Sequence, residues 1–447
     1  MAKMALLFIK KIKHEEKNSM SKAVLDINEK PTPVQWVTLS FQHMFAMFGS
    51  TILVPQLVGL SPAIALLTSG IATLIFLFVT QFKVPAYLGS SFAFIAPMLI
   101  ASNGVKDGVS VDPGNAMIGA VAVGLVYGIV SLLIWKTGYK WLMRLLPPIV
   151  VAPVIIVIGL GLSGTAVDMA MNVDGTYNGW HFSAALVTLF SAIIFTVYFK
   201  NILSAMPILM GLIVGYIYSV MIGIVDFTPV KEADFFALPD FLIPGVDYEV
   251  TITAKILLAM VPIVIVTISE HIGHQLVLGK VVNRNYVKDP GLHRSILGDG
   301  LGTIVSAFVG GPPKTTYGEN IGVLAITRVY SVYVIMGAAI IAIIVSFFGK
   351  AMALIGTIPT AVLGGISILL FGIIASSGLR MLVENNIDFG NNRNMVIASV
   401  ILVVGIGGAA LRFTESFSIE GMALAAIIGV VLNLVLPGRD KKVADHH

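Results

Sequence analysis

Long apolar runs separated by short polar connections make up most of the chain after about residue 32. A helix that crosses a membrane needs about 20 mainly apolar residues. The pattern meets this requirement repeatedly and predicts an all-α polytopic membrane protein with fourteen transmembrane segments, placed at 34–57, 62–81, 86–101, 115–135, 146–165, 182–199, 203–224, 252–276, 295–310, 316–328, 331–349, 359–376, 395–411 and 419–437.

The third and tenth predicted segments differ from the others because Gly, Ser or a charge interrupts them. Such interruptions are typical of half-helices that line a cavity inside a membrane protein. We therefore expect both segments to be broken helices with short extended stretches at the membrane midplane.

The composition excludes several other classes of protein. Hydrophobic residues make up 57% of the chain and charged residues 12%, with a mean hydropathy of +0.93, whereas soluble domains carry about 25% charged residues. The chain has no cysteine, which excludes disulfides, thiolate metal sites and a cysteine nucleophile. The net charge of +4 is too small and too dispersed to indicate nucleic-acid binding.

The distribution of basic residues indicates the orientation, because Lys and Arg concentrate in cytoplasmic loops. With the N-terminus inside, the even-numbered connections and the two tails hold most of the 28 basic residues. An error of one span would destroy this sorting, so the charges favour fourteen spans with both termini cytoplasmic. The first residues place a short apolar run before Lys10, Lys11 and Lys13, the reverse order of a secretory signal, and predict a cytoplasmic tail.

An internal repeat organises the spans into two halves. The first span contains Gln42-His43 and the eighth contains Glu270-His271, and the same spacing carries Ser91 onto Glu319. Seven spans in each half make the second half enter the membrane from the opposite side. Inverted repeats of this kind place a binding site between their broken helices. Chance similarity between apolar segments is the alternative explanation.

Two carboxylates fall near the predicted mid-membrane, where each costs about 3 kcal/mol or more. Glu270 and Glu319 therefore indicate a substrate and proton site, the alternatives being an internal ion pair or a helix cap. His274 follows Glu270 by one helical turn, and an imidazole beside a carboxylate can exchange a proton near neutral pH. Adding His271 does not make a metal site, because the three side chains do not converge from one helix. His43 has two interpretations, a packing residue or a functional one.

The stretch from Tyr317 to Asn320 begins a half-helix after the breaker run GGPPK. The first turn of a helix leaves backbone N–H groups unpaired and carries a positive dipole end, which suits a carbonyl or an anion. Residues 89–92 offer unpaired N–H groups and a positive dipole end from the opposite half. The alternative is a simple kink with a Ser cap. Tyr317 and Phe92 are candidates to stack on a planar ring or to pack in the core. Lys314 and Arg328 are expected at the membrane interface. Asp299 is expected to be a packed polar group near the inner surface of the membrane.

Three stretches of the sequence resemble the nucleobase/ascorbate transporter family, in particular its bacterial uracil permease branch: AYLGSSFAF (86–94), SEHIGH (269–274) and TTYGENIGVLAITR (315–328). The family signature is matched by Glu319, Asn320, Gly322, Thr327 and Arg328. The Gln-His pair of the first span and FFALP at 235–239 fit as well. The similarity extends from about residue 33 to residue 437.

The resemblance implies a domain arrangement: a cytoplasmic tail (1–32), a core domain (33–136 and 252–350), a gate domain (137–226 and 351–437), an extracellular loop (227–251) and a second cytoplasmic tail (438–447). It also implies uracil uptake by proton symport through the bacterial cytoplasmic membrane, with alternating access, commonly as a homodimer, and with no cofactor besides H⁺. The bilayer is then a partner and nucleic acid is not.

The resemblance also implies residue roles. Substrate contacts are expected from Glu270, Glu319, Phe92, Gly318, Ser91, Tyr317 and His274. Proton coupling is expected from Glu270 and His274. Support is expected from Gln42, His43, Asn320, Thr327 and Arg328. Phe371 stands where we expect some uracil permeases to have Tyr, so a hydroxyl contact on the gate side is absent.

The chemistry of uracil agrees with this assignment, because its two N–H groups need acceptors and its two carbonyls need donors. Three other functions fit the sequence less well. Purine permeases of the same family usually have Gln at the position of Glu319, which disfavours this alternative. An anion exchanger is disfavoured because two mid-membrane carboxylates repel anions. An intramembrane enzyme needs a catalytic constellation that the sequence does not show. Na⁺ remains an alternative coupling ion, although the pair Glu270 and His274 favours H⁺.

Overall fold

The computed structural model describes residues 23–102, 105–106, 109–110, 112–199, 206–414 and 417–438, and these residues are mostly helical. The α-helices are α1 (Pro33–Val58), α2 (Pro62–Val79), α3 (Ile95–Ala101), α4 (Gly114–Thr137), α5 (Lys140–Leu145), α6 (Pro148–Gly161), α7 (Ser163–Met171), α8 (Gly179–Tyr198), α9 (Pro207–Met221), α10 (Thr228–Glu232), α11 (Ala254–Met260), α12 (Ile263–Val282), α13 (Leu292–Phe308), α14 (Gly318–Thr327), α15 (Val332–Val345), α16 (Gly349–Gly356), α17 (Thr360–Glu384), α18 (Asn392–Ile406) and α19 (Gly421–Val435).

Short antiparallel ribbons complete the described secondary structure. The strands are β1 (Leu88–Ser90), β2 (Val105–Lys106), β3 (Val109–Ser110), β4 (Asn172–Val173), β5 (Thr176–Tyr177), β6 (Lys314–Thr316), β7 (Ala410–Thr414) and β8 (Phe417–Glu420). They pair as β1–β6, β2–β3, β4–β5 and β7–β8. All pairs except β1–β6 are local hairpins, so β1–β6 is the ribbon that joins distant parts of the sequence.

Within the described ranges, seven helical stretches are long and apolar enough to cross a membrane, and an eighth results if α15 and α16, bent by 86°, count as one span. Four shorter apolar helices have 10–17 residues. The prediction of a mainly helical, multi-pass membrane protein is confirmed at this level. The count of fourteen stays a prediction, because several predicted segments are too short or too polar to qualify by length and composition.

Both segments that the sequence predicted to be broken contain an extended stretch. β1 is followed by a 3₁₀ turn (Phe92–Phe94) and α3, and β6 is followed by α14. Before β6, α13 ends at Phe308, where Gly310 takes a left-handed conformation (φ 87°) and Gly311 N donates to Ser306 O (2.7 Å). Pro312 and Pro313 keep the helix from resuming, because Pro lacks the N–H that a helix interior requires. The two strands pair in antiparallel register, Leu88 with Thr316 and Ser90 with Lys314.

The helices pack mainly within two sets. The first set contains α1, α2, α3, α4, α11, α13, α14 and α15. The second set contains α6, α7, α8, α9, α17, α18 and α19. Helix α12 contacts both, reaching α14 and β6 on one side and α6 and α19 on the other. It therefore lies where the two sets meet.

The predicted N-terminal tail is only partly within the described residues, which begin at residue 23. Leu25 forms a parallel bridge with Val329, and Leu25 and Ile27 are each 6% exposed. The end of this segment, Thr32, caps α1 together with Gln35. Residues 24–30 thus pack against the first helix set. Residues 1–22 and 439–447 lie outside the described ranges.

Candidate substrate site

The β1–β6 ribbon brings the two interrupted segments together. Main-chain hydrogen bonds extend the pairing beyond the strands, from Ser91 N to Pro313 O (2.9 Å) and from Tyr317 N to Tyr87 O (3.1 Å). Gly89 has no side chain where the Tyr317 ring lies, and a Cβ there would overlap the ring. The close approach of the two strands therefore depends on this glycine.

Each strand leads into a helix start without a side-chain cap. The residues at these positions are Ser91 before the 3₁₀ turn and Tyr317 before α14, and neither makes a capping hydrogen bond. A helix start leaves N–H groups without partners inside the helix and carries partial positive charge. Two such starts on one ribbon suit a ligand with carbonyl or anionic oxygens.

This geometry corrects the register of the internal repeat. Ser91 and Tyr317 occupy equivalent places at the two helix starts, so Ser91 corresponds to Tyr317 and not to Glu319. The reason is that the connections between the first span and the broken segment differ in length by two residues from those in the second half, so the spacing that relates Gln42-His43 to Glu270-His271 does not hold at the helix starts. The first segment consequently has Ala93 where the second has Glu319.

Glu319 lies in the first turn of α14 and is half-buried. Ser50 of α1 donates a hydrogen bond from Oγ to its Oε1 (2.9 Å). The neighbouring Asn320 is fully buried and donates from Nδ2 to Pro85 O (3.0 Å). These contacts fix the start of α14 against α1 and against the residues before β1.

Glu270 lies on α12, is half-buried, and is within electrostatic range of Glu319 and Asp299. The described contacts include no hydrogen bond between Glu270 and His274. His274 instead places Nδ1 at 3.4 Å from the hydroxyl of Thr316, with Nε2 beside Gly318. The structure therefore brings Glu270, His274, Gly318 and Glu319 into one region.

His271 forms a buried network that the sequence analysis did not assign to the site. Its Nδ1 lies 2.8 Å from Asp299 Oδ2, and both side chains are 1% exposed. Its Nε2 lies 2.8 Å from Ser295 Oγ, and the hydroxyl of Thr316 lies 3.3 Å from Nδ1. Asp299, which the sequence predicted to be a packed polar group, is buried beside His271.

The two aromatic candidates have different surroundings. Tyr317 is 3% exposed, and its hydroxyl donates to Ser90 O (3.1 Å), so its ring and hydroxyl hold the ribbon together. Phe92 is half-buried and packs edge-on against Phe371 of α17, with 6.3 Å between ring centroids. Phe92 thus joins the first broken segment to the second helix set.

The other predicted residues divide into near and remote. His43 is fully buried beside the Asn320 side chain, and Gln42 is half-buried on the same helix. Thr327 and Arg328 lie at the opposite end of α14 from Glu319, where Thr327 Oγ1 donates to Val323 O (2.8 Å) and the exposed Arg328 ends the helix. These two residues shape α14 at a distance from the two carboxylates.

The sequence predicted Lys314 at the membrane interface, but the structure places it in the protein interior. Its side chain is fully buried and donates from Nζ to Ala65 O (3.0 Å) and Ser69 Oγ (2.9 Å) of α2. These hydrogen bonds give partners to two of the donors of the buried amine and fix β6 to α2. Across the described ranges, no group of three His, Cys, Asp or Glu side chains is placed to hold a metal ion.

Comparisons with known proteins identify relatives of this chain. The xanthine/uracil permease model, described as "Permease family", matches residues 34–414. Uracil permease of Bacillus caldolyticus is 64% identical and the alignment covers 94% of this chain and 96% of that protein. Uracil permease of Bacillus subtilis (strain 168) is 56% identical, and the alignment covers 96% of this chain and 100% of that protein. Uracil permease of Escherichia coli (strain K12) is 42% identical, and the alignment covers 93% of this chain and 94% of that protein.

Solved structures show the same fold at low identity. The transmembrane domain of the cyanobacterial bicarbonate transporter BicA matches with a TM-score of 0.59 at 13% identity, over 89% of this chain and 96% of that one. SLC26A9 matches with a TM-score of 0.63 at 11% identity, and the match covers 90% of this chain and 64% of that one. These neighbours indicate the polytopic membrane fold and nothing about the substrate.

Proposed function

The chain belongs to the nucleobase/ascorbate permease family, and from this premise we propose that it imports uracil by proton symport through the bacterial cytoplasmic membrane. Its relatives are named as permeases, so the chain is a transporter and not an enzyme. Their printed substrate supports uracil as the substrate of this chain.

The observation that carries the proposal is the pair of uncapped helix starts on the β1–β6 ribbon, with Glu319 in the first turn of one of them. Uracil has two ring N–H donors and two carbonyl acceptors. In the proposed complex Glu319 and Glu270 accept from the N–H groups, while the amides of Phe92 and Gly318 donate to the carbonyls. Hydrogen bonds to charged groups contribute about 1.5–3 kcal/mol each, which is enough to discriminate against rings that lack these donors.

Coupling to protons is proposed to act through Glu270. The carboxylates Glu270 and Glu319 lie within electrostatic range of each other, so a proton on Glu270 relieves their repulsion. His274, one helical turn away, is the proposed partner for proton exchange. The loaded and protonated site then favours the transition that opens toward the cytoplasm.

Alternating access is proposed to be a movement of the first helix set, as the core domain, against the second set, as the gate domain. The packing of the helices within these two sets, with α12 between them, supports this division. The fourteen-segment inverted arrangement, cytoplasmic termini and a homodimer belong to the same proposal, which the family resemblance supports.

The test is uptake of labelled uracil into proteoliposomes that contain the purified protein, with and without an inward proton gradient and with excess xanthine as competitor. We expect accumulation that requires the gradient and is unaffected by xanthine. Accumulation of xanthine instead of uracil would overturn the substrate, and accumulation of uracil without the gradient would overturn the coupling.

Glu270→Gln tests the coupling residue separately. We expect this variant to bind uracil more weakly and still to exchange it, but to lose accumulation driven by the proton gradient. Glu384→Gln is the matched control, because Glu384 is an exposed carboxylate at the end of α17. If Glu270→Gln still concentrates uracil against a gradient, another group carries the proton.

A further inference from the structure

The segment before α1 contacts the far ends of both helices that carry the site carboxylates. We name residues 24–30 the N-terminal strap. Its main chain bonds to the residues that follow α14: Val24 N donates to Arg328 O (2.9 Å), Tyr330 N donates to Leu25 O (2.8 Å) and Val332 N donates to Ile27 O (3.0 Å). The strap therefore runs along the α14–α15 connection like an added strand.

Side chains extend these contacts to α12. Asp26 Oδ2 lies 3.4 Å from Nη2 of Arg284, two residues beyond the end of α12. Both side chains are more than half exposed, so this ion pair alone contributes little. Ile27 is 6% exposed and belongs to an apolar cluster that also contains Leu278 of α12 and Ile321 of α14. Ile27 is therefore buried in the same cluster as side chains of both helices.

The two helices carry the proposed binding residues toward their other ends. Glu270 lies on α12 and Glu319 lies in the first turn of α14. A site of this kind works only when its groups are held within about 0.5 Å of the productive geometry. An element that fixes α12 against α14 at one end therefore acts on the distance between the two carboxylates.

We propose that the N-terminal strap is a positioning element of the substrate site. Leu25 anchors the strap in a cluster with Val329, Val334 and Leu39, and Ile27, in the cluster that includes side chains of both helices, sets the spacing of α12 and α14. This inference rests on the proposed function for the role of the two carboxylates. The effect of the strap on the distance between α12 and α14 is independent of that function. The strap makes no contact with substrate. It acts by keeping the two helices at the distance that binding requires.

The absence of cysteine allows a direct test of the spacing in the full-length protein. Spin labels at Val277→Cys of α12 and Ile326→Cys of α14, both on exposed positions, report the distance between the helices by electron paramagnetic resonance. We expect Leu25→Ala with Ile27→Ala to broaden this distance distribution. Because a displacement near 1 Å can cost a hundredfold, we expect about a tenfold weaker binding of uracil, with the maximal transport rate little changed.

Val24→Ala is the matched control, since Val24 is 60% exposed and Ala retains the main-chain hydrogen bond. Leu25→Ile with Ile27→Leu keeps the apolar volume and is expected to restore both the distances and the affinity. If the double alanine variant does not accumulate in the membrane, Ile27→Val removes one methylene and is expected to give a smaller shift in the same direction.

Two results separate this proposal from its premise. Unchanged distances and affinity, with only a lower melting temperature, would make the strap a structural anchor and overturn the inference. Failure of the unaltered protein to bind uracil would overturn the proposed function instead, while the label distances without ligand would still decide whether the strap sets the spacing.

Discussion

The two broken segments share a backbone plan and differ in chemistry. Each has a three-residue strand followed by a helix start without a side-chain cap. The second segment carries the carboxylate of Glu319, whereas the first carries the ring of Phe92 next to the hydroxyl of Ser91. The two segments thus supply amide donors on both sides and a carboxylate on one.

Their neighbours differ in the same sense. Glu319 is held by Ser50 of α1, within its own helix set, while Phe92 packs against Phe371 of α17 in the other set. Two segments with the same backbone plan can therefore carry different chemistry. In the proposed transport cycle, both segments donate amides to the substrate, the second adds the carboxylate of Glu319, and the first connects the site to the second helix set.

The largest effect is expected from removing the carboxylate that distinguishes the second segment. Glu319→Gln keeps the size of the side chain but loses a charged hydrogen bond worth about 1.5–3 kcal/mol. At 1.4 kcal/mol per factor of ten, uracil binding should weaken by about ten- to a hundredfold. Equilibrium binding to the purified protein measures this, with Glu384→Gln as the control. Equal affinity in both variants would show that the two segments do not differ in the proposed way.

The next effect concerns the contact that brings the two segments together. Gly89→Ala places a methyl group into the Tyr317 ring, and overpacking of a buried site typically costs about 1–3 kcal/mol. We expect a lower melting temperature in detergent and weaker uracil binding. Gly128→Ala on α4 is the control, because no atom lies within 4 Å of its added Cβ. A neutral Gly89→Ala would mean that the ribbon adapts without its glycine.

Sequence patterns predicted the broken segments because their cause is local. Gly, Ser and Pro interrupt the apolar runs at residues 89–91 and 310–313, and the structure has extended chain beside each run. The carboxylates were found for a similar reason, since a charge in an apolar run is visible without a partner. The ends of the segments were predicted less well, since α12 and α17 continue to residues 282 and 384, past the predicted ends at 276 and 376.

The contact partners were not predictable, because they come from distant parts of the chain. Ser50 and Glu319 are 269 residues apart, and no local pattern marks a serine in an apolar helix as a donor to a carboxylate. Lys314 was expected at the interface because an isolated charge usually lies there. The acceptors that bury it, Ala65 O and Ser69 Oγ, come from α2 and are invisible to hydropathy.

A smaller effect is expected at the hydroxyl between the two histidines of α12. Thr316→Val keeps the shape of the side chain and removes its contacts with His271 and His274. Since a typical hydrogen bond contributes about 1 kcal/mol, uracil binding should weaken about fivefold. Thr315→Val is the matched control, because the neighbouring hydroxyl is buried without a described hydrogen-bond partner. The same loss in both variants would assign the effect to β6 as a whole.

The smallest effect on affinity is expected where the first segment meets the second helix set. Phe371→Leu removes an edge-on ring pair with Phe92, and such pairs contribute about 0.5–1.5 kcal/mol. We expect a change of up to about tenfold in the rate of uracil exchange across proteoliposomes, with affinity less affected, because Phe371 belongs to the moving contact and not to the proposed hydrogen bonds. Phe235→Leu, at a 58% exposed ring outside this contact, is the control. If Phe371→Leu instead weakens binding as much as Glu319→Gln does, the contact of the first segment contributes as much to affinity as the carboxylate of the second, and the proposed division between them is wrong.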